Sequence, residues 1–340
     1  MKKNKVLITG GAGFIGTSLV EKMIDNKVEV VVYDNLSTSK ETIISKWNKK
    51  PEFTFVRGDM LDPSDLLDAV QGCETVFHLA ANPDVRIAAL DSRIDFDQNI
   101  VATYNLLEAM RKSSTCKKII FASSSTVYGE PTSIPTPESY SPTRPISLYG
   151  ATKLACESII SGYCFMFDMT GIALRFANVV GPNSTHGIIY DFTRKLRRDP
   201  KNLQILGSGK QNKSYVFIDD CVAAFEIAQA LLEKGQVDFD VFNIGSQDQI
   251  TSMEIAKIVI DQLSLLDVSF SFDRRKNERG WTGDVIEMLL DSSKLRSHGW
   301  GTKYNSREAV TQAARGIADR IQDMAPGTES EGDIKVVPTP

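Results

Sequence analysis

Cysteine and histidine are scarce: the 340 residues include five Cys (Cys73, Cys116, Cys156, Cys164, Cys221) and three His (His78, His186, His298). The cysteine number is odd, no pair has CxxC spacing, and the thiols fall within expected helices or beside expected strands. They read as reduced, buried side chains of a reducing compartment, not as disulfides or zinc ligands. The histidines lie far apart, and no metal site is expected. Long apolar runs are also missing. "MKKNKVLITGGAGFIG" places basic residues before apolar ones, as a secretion signal does, but glycines interrupt the run at once. No stretch approaches the roughly 20 residues of a membrane span, so a cytoplasmic protein without a membrane partner is expected. An excess of positive charge is lacking too: 39 Lys and Arg stand interspersed with 43 Asp and Glu, for a net charge of -4. Without a basic stripe, no nucleic-acid partner is expected.

What is present is a rhythm. Up to about residue 180, short β-branched runs ("KVLIT", "VEVVVY", "FTFV", "TVFHLA", "KIIFAS", "IALRFA") alternate with helical periodicity. Such alternation predicts an α/β fold, a doubly wound parallel sheet of Rossmann type over residues 1–180. After "NVVGP" come helices near 187–199 and 219–233, short strands at "LQIL", "VFNIG" and "VSFSF", and helices near 251–264 and 306–323. These read as a smaller mixed α/β substrate lobe over 181–323. The closing stretch, 324–340, mixes Pro, Gly and charge without periodicity and is expected to be a flexible tail.

"VLITGGAGFIGTSLV" supplies a strand, a glycine turn and a helix in the order a dinucleotide site requires. Gly10, Gly13 and Gly16 permit a tight turn and close approach to a pyrophosphate, whose charge the helix N-terminus favours. The second strand ends in Asp34, where a carboxylate accepts hydrogen bonds from an adenosine ribose and repels a 2′-phosphate, favouring NAD over NADP. Asp59 and Met60, after the third strand, either border the adenine or form a plain loop.

"SLYGATK" puts Tyr149 and Lys153 on one helix face, after a strand that ends near Ser124. A phenol is a poor base at neutral pH, but cationic charge from Lys153 and an oxidised nicotinamide stabilises phenolate. Ser124 could share a hydrogen bond with the same substrate hydroxyl. The alternative is a buried tyrosine beside a snorkelling lysine.

Taken together, "TGGAGFIG", "YDNLST", "HLAA", "DQNIVATYNLLEA", "SSSTVYGEP", "YGATK", "RFANVVGP" and "GDV…DSSKLRSHGW" resemble the nucleotide-sugar epimerase/dehydratase family of extended short-chain dehydrogenase/reductases, most closely the UDP-glucose 4-epimerases. The resemblance covers nearly the whole chain before the tail. It implies Tyr149 as base, Lys153 as its electrostatic partner and ribose anchor, and Ser124 as the third catalytic member. It implies an NAD site of Gly10, Gly13, Phe14, Ile15, Gly16, Asp34, Asn35, Ser37, Asp59, Met60, Leu79, Ala80, Ala81, Asn99 and Ala177, with Tyr149 and Lys153. It implies a substrate site of Ser124, Ser125, Tyr149, Asn178, Gly187, Ile188, Gln204, Leu206, Lys213, Tyr215, Arg279, Asp284 and Met288. The activity implied is interconversion of UDP-glucose and UDP-galactose through a transient 4-keto sugar and bound NADH, in a homodimer paired through the helices near 92–113 and 148–168. Those helices carry surplus apolar residues, among them Tyr104, Leu107, Met110, Ile159, Tyr163 and Phe167, which burial within a monomer would equally explain.

Several positions refine this. The family's 4,6-dehydratases and decarboxylases have an acidic residue just after the serine or threonine at this strand end; here Ser125, Thr126 and Val127 follow Ser124, which favours simple epimerisation. Lys213 stands where the family often has arginine, a point charge without the planar fork. Arg279 is two residues further from Asp284 than the family's Arg-x-Gly-Asp places it. Met288, where a bulkier tyrosine or a smaller residue is common, suggests tolerance of UDP-N-acetylhexosamines, or a core methionine. The alternatives are 4-epimerisation of a UDP-N-acetylhexosamine, UDP-uronate or UDP-pentose and, outside enzymes, an NAD-binding scaffold or sensor.

Overall fold

The structure, a computed structural model, describes residues 4–273 and 278–322. The expected tail, 324–340, lies outside the described residues. A seven-stranded sheet carries the fold, its strands numbered in chain order β1 (Lys5–Thr9), β2 (Glu29–Asp34), β3 (Phe53–Arg57), β4 (Thr75–His78), β5 (Lys118–Ser124), β6 (Thr170–Phe176) and β7 (Phe239–Ile244). Their spatial order is β3-β2-β1-β4-β5-β6-β7 and every pairing is parallel. The order reverses between β1 and β4, and at such a switch point the strand ends open a crevice for ligands.

Helices of eight or more residues are α1 (Phe14–Asp25), α2 (Ala102–Lys112), α3 (Leu148–Met166), α4 (Ile188–Arg198), α5 (Ile218–Glu233), α6 (Ser252–Gln262) and α7 (Ser306–Gln322). Alternation along the strands sends side chains to two cores. Val6, Ile8, Val30 and Val32 pack under α1 and α5, with Leu19, Phe225 and Leu232. Leu7, Val31 and Val76 pack under α2 and α3, with Leu106, Met110, Cys156 and Ile160. All five cysteines are buried and free of disulfides, as expected.

A third core, with Ile189, Leu196, Ile255, Val310 and Ile317, joins α4, α6 and α7 beneath the paired strands Asn202–Leu206 and Ser269–Asp273. One segment departs from chain order. "VFNIG", expected in the later lobe, forms β7 and pairs with β6, while α5 packs against the central sheet. The reason is physical: α5 and β7 present Phe225, Leu231, Phe242 and Ile244 to the core beside β6, where a parallel edge strand completes the burial. The helix expected over 92–113 is also divided, into Ser92–Asp95, a π turn Phe96–Val101, and α2.

Candidate active site

The switch point is built first by a glycine. Gly10 follows β1 with φ +69°, and a Cβ there would stand 2.6 Å from the Ala80 amide nitrogen, so only glycine lets β1 and the chain after β4 close together. Leu79 N donates to Thr9 O at 3.1 Å, which holds Leu79, Ala80 and Ala81 beside the turn. Phe14, Ile15 and Gly16 open α1, whose N-cap is Gly13, without a capping side chain or an acidic residue in the first turn. The amides of that turn therefore remain available to an anion.

Asp34 ties the next strand to this turn. Its Oδ2 accepts the Ala12 amide at 3.0 Å and its Oδ1 the Leu36 amide at 2.8 Å. Burial raises this carboxyl above its ordinary value, and the two amides oppose that rise. Each oxygen keeps a lone pair with which to accept from a ribose hydroxyl. Around it Asn35 Nδ2 donates to Asp59 Oδ2 at 3.1 Å, and Met60 O accepts Asn105 Nδ2 at 2.9 Å. Ser37 is exposed, with its amide donated to Asn35 Oδ1.

Asn99 sits on the π turn, a distortion frequent where a helix serves a site. Its Nδ2 donates to Thr152 Oγ1 at 2.8 Å, not to its own backbone, and its buried Oδ1 has no partner. An uncapped helix start, a half-buried carboxylate at the end of the second strand and an orphaned amide oxygen are groups a dinucleotide would satisfy, so the residues present fit NAD.

The chemistry-bearing groups meet where β5 ends. Ser124 Oγ accepts from Thr126 N at 3.2 Å and from Thr126 Oγ1 at 2.9 Å, so its own proton is free to be donated. Ser125 begins the 3₁₀ turn that follows. Ser147 caps α3 by accepting from Gly150 N at 3.1 Å. A Cβ on Gly150 would stand 2.5 Å from Thr126 O, so glycine is what allows the first turn of α3 to lie against the Ser124 turn. Lys153, 2% exposed, donates to Ala122 O at 2.8 Å, and its Nζ lies 5.7 Å from the Tyr149 ring centroid. Burial pushes the ammonium down to about 8. Burial, then the Asp95 and Cys156 charges, raise the Tyr149 phenol well above its ordinary value. The pair thus combines a phenol that needs positive charge to ionise with a lysine still cationic at neutral pH.

A second constellation lies near the N-cap of α3, where a Cβ on Gly283 would stand 3.0 Å from Ile146 O. Lys213 Nζ pairs with Asp284 Oδ1 at 2.5 Å; Arg279 donates to the Asp284 carbonyl and pairs with Glu130 at 2.6 Å. Asn178 Nδ2 donates to the Ser214 carbonyl at 3.2 Å. Gly187, φ +92°, starts α4 at Ile188. Of the other expected substrate positions, Gln204 is exposed on its strand, Leu206 is half-buried with its carbonyl accepting from Gln211 Nε2, and Tyr215 is buried in the third core. Ala177 and Met288 pack with Val127 and Tyr128 just beyond the Ser124 turn.

Sequence reasoning missed the groups that support these. Glu157, one turn past Lys153, accepts from Ser123 Oγ and pairs with Arg175 through two bonds of 2.9 and 2.6 Å. Its i+4 spacing from Lys153 was a usable signal. Thr126, two residues after Ser124, and Asp95, four before Asn99, were visible in sequence but carried no spacing signal. Among the described residues no group of His, Cys, Asp and Glu could hold a metal, and no helix is long and apolar enough to cross a membrane.

Residues 6–245 match the NAD dependent epimerase/dehydratase family. A putative UDP-glucose 4-epimerase of Methanocaldococcus jannaschii is 32% identical over 312 residues, covering 90% of this chain and 95% of that protein. Among solved structures, a UDP-galactose 4-epimerase superposes with a TM-score of 0.83 at 38% identity, covering 93% of this chain and 99% of the other. The Bacillus cereus UDP-glucuronic acid 4-epimerase, in complex with UDP-glucuronic acid and NAD, superposes with a TM-score of 0.82 at 28% identity, over 93% and 99% of the two chains.

Proposed function

Because the chain belongs to the NAD-dependent epimerase/dehydratase family, whose cofactor is NAD, we propose that it is a UDP-hexose 4-epimerase interconverting UDP-glucose and UDP-galactose. The observation that supports this most is the pairing of Tyr149 with Lys153 beside a strand end where no carboxylate follows Ser124. Dehydration or decarboxylation needs a further acid or base on the keto sugar, and Ser125, Thr126 and Val127 supply none.

Gly10, Gly13, Phe14, Ile15 and Gly16 would hold the cofactor's pyrophosphate, Asp34 and Asn35 its adenosine ribose, and Asn99 and Lys153 its nicotinamide half. Bound there, NAD supplies a two-electron acceptor regenerated within each turnover. Tyr149 accepts the proton of the sugar 4-hydroxyl and later returns a proton to the same oxygen. Ser124 donates a hydrogen bond to that oxygen. Lys153, with one N–H on Ala122 O, keeps two donors for a ribose and a charge that favours phenolate. Lys213 and Arg279 would neutralise the diphosphate, with Asp284 aligning Lys213 through its carboxylate and Arg279 through its backbone carbonyl.

Residues 1–180 with α5 and β7 form the cofactor-binding unit in this reading, and most of 181–323 the substrate lobe. Phe96, Tyr104, Phe165 and Met166, between 50% and 78% exposed, support a homodimer paired through α3 and through α2 with the π turn before it. Similarity to a UDP-glucuronic acid 4-epimerase supports a second reading in which the sugar is a uronate. The discriminating experiment incubates the protein with separate UDP-sugars, including UDP-GlcNAc and UDP-glucuronic acid, and resolves products by chromatography. Conversion of UDP-galactose is expected; turnover of uronate alone would replace the first reading by the second.

A further inference from the structure

The catalytic pair has a carboxylate neighbour that the chemistry above does not use. Asp95 ends the short helix Ser92–Asp95, which packs on α3, and its side chain is fully buried. One oxygen accepts Asn82 Nδ2 at 2.8 Å; the other, Oδ2, is buried with no partner. Asn82 is itself fixed, since its Nδ2 also donates to Asp84 O at 2.9 Å and its Oδ1 accepts Asp84 N. A buried carboxylate with a bare oxygen is costly unless a cation faces it.

Most charged groups around Asp95 are committed elsewhere. Asp84 pairs with Arg86, and Glu157 with Arg175. On β4, His78 is pushed down to about 3 by burial and then by the Lys153 charge, so it is neutral. Burial raises the Cys156 thiol. Arg93, on the same short helix, is turned to Asp97 at 2.9 Å. Lys153 remains, on the helix against which Ser92–Asp95 packs: its charge opposes the burial that raises Asp95, while Asp95, with Cys156, opposes the burial that lowers Lys153 and adds to the burial that raises Tyr149.

We propose that Asp95 is a positioning residue whose buried charge, held by Asn82, acts through Lys153 and Tyr149 to set the pH range in which that pair exchanges protons. A carboxylate there stabilises the ammonium and opposes the phenolate. Asp95 touches no substrate in this account, and the role rests on the reading of Tyr149 as base.

The test is Asp95→Asn, which keeps an acceptor for Asn82 and removes only the charge. Both limbs of the kcat/KM profile for UDP-galactose should move to lower pH by roughly one unit. The Tyr149 phenol, read as tyrosinate absorbance against the same protein carrying Tyr149→Phe, should move with them. An unmoved profile and phenol would overturn the proposal. If Asp95→Asn does not fold, Lys153→Met tests the reciprocal coupling: the Asp95 carboxyl, followed by carbon NMR, should titrate at higher pH than in the unaltered protein, and an unchanged titration overturns it. A fully active Tyr149→Phe would instead remove the reading beneath it.

Discussion

Lys153 Nζ donates to the Ala122 carbonyl oxygen at 2.8 Å, so the ammonium is tied to β5 while its helix carries Tyr149. With the ammonium held near 8 by burial, against an ordinary 10.5, its charge is lost within the accessible pH range. We expect kcat/KM to fall above pH 8, and Lys153→Met to lower kcat by about 10²–10⁴ and abolish that limb. The linkage sign is opposite for stability. Between 8 and 10.5 the unfolded chain holds the proton that the folded chain has lost, so this group makes folding more favourable as pH rises across that window. Urea midpoints across the window check it.

Asp34 bridges the glycine turn and the loop after β2 through the Ala12 and Leu36 amides. Asp34→Ala should weaken NAD binding by about 10- to 100-fold, the worth of one or two charge-assisted hydrogen bonds, and reduce the preference over NADP. Titration calorimetry with both dinucleotides measures this. Equal affinity in the variant and the unaltered protein would contradict the assignment.

Glu157 and Arg175, 4% and 6% exposed, form a two-bond ion pair under the turn that follows β5. Glu157→Gln leaves a guanidinium buried without its counter-charge, and urea unfolding should show a loss of about 3–5 kcal/mol. Glu157→Met combined with Arg175→Met should recover much of that loss, because no unpaired charge then remains.

Lys213 and Arg279 converge on Asp284 from different segments. If they receive a diphosphate equally in ground and transition states, Lys213→Ala or Arg279→Ala should raise KM for UDP-galactose at least about tenfold with little change in kcat. Steady-state kinetics decides between this and a structural ion pair, which would leave KM unaltered.

The strand-turn-helix of the dinucleotide site was legible because its constraints are local: a glycine at φ +69° and a carboxylate at the end of the next strand can be read within one short segment. That Tyr149 and Lys153 lie together on one helix was legible for the same reason, by helical spacing. The place of β7 was not, since a five- or six-residue apolar strand says nothing about which edge it joins; β6 decided that by offering an unpaired parallel edge. The π turn at Asn99 was equally hidden, because its widening depends on α3, where Thr152 receives the Asn99 amide and Cys156 donates to the Asn99 carbonyl. The contact of Lys213 with Asp284 depended on packing too: the two lie 71 residues apart in sequence, and only the fold brings their side chains to 2.5 Å.

The most direct test of the central claim follows the hydrogen on the reacting carbon. UDP-galactose carrying deuterium at C4 should give UDP-glucose that keeps the deuterium at C4, with Tyr149→Phe forming product at least about 10³-fold more slowly. Loss of the deuterium to solvent, or full-rate conversion by Tyr149→Phe, would contradict it.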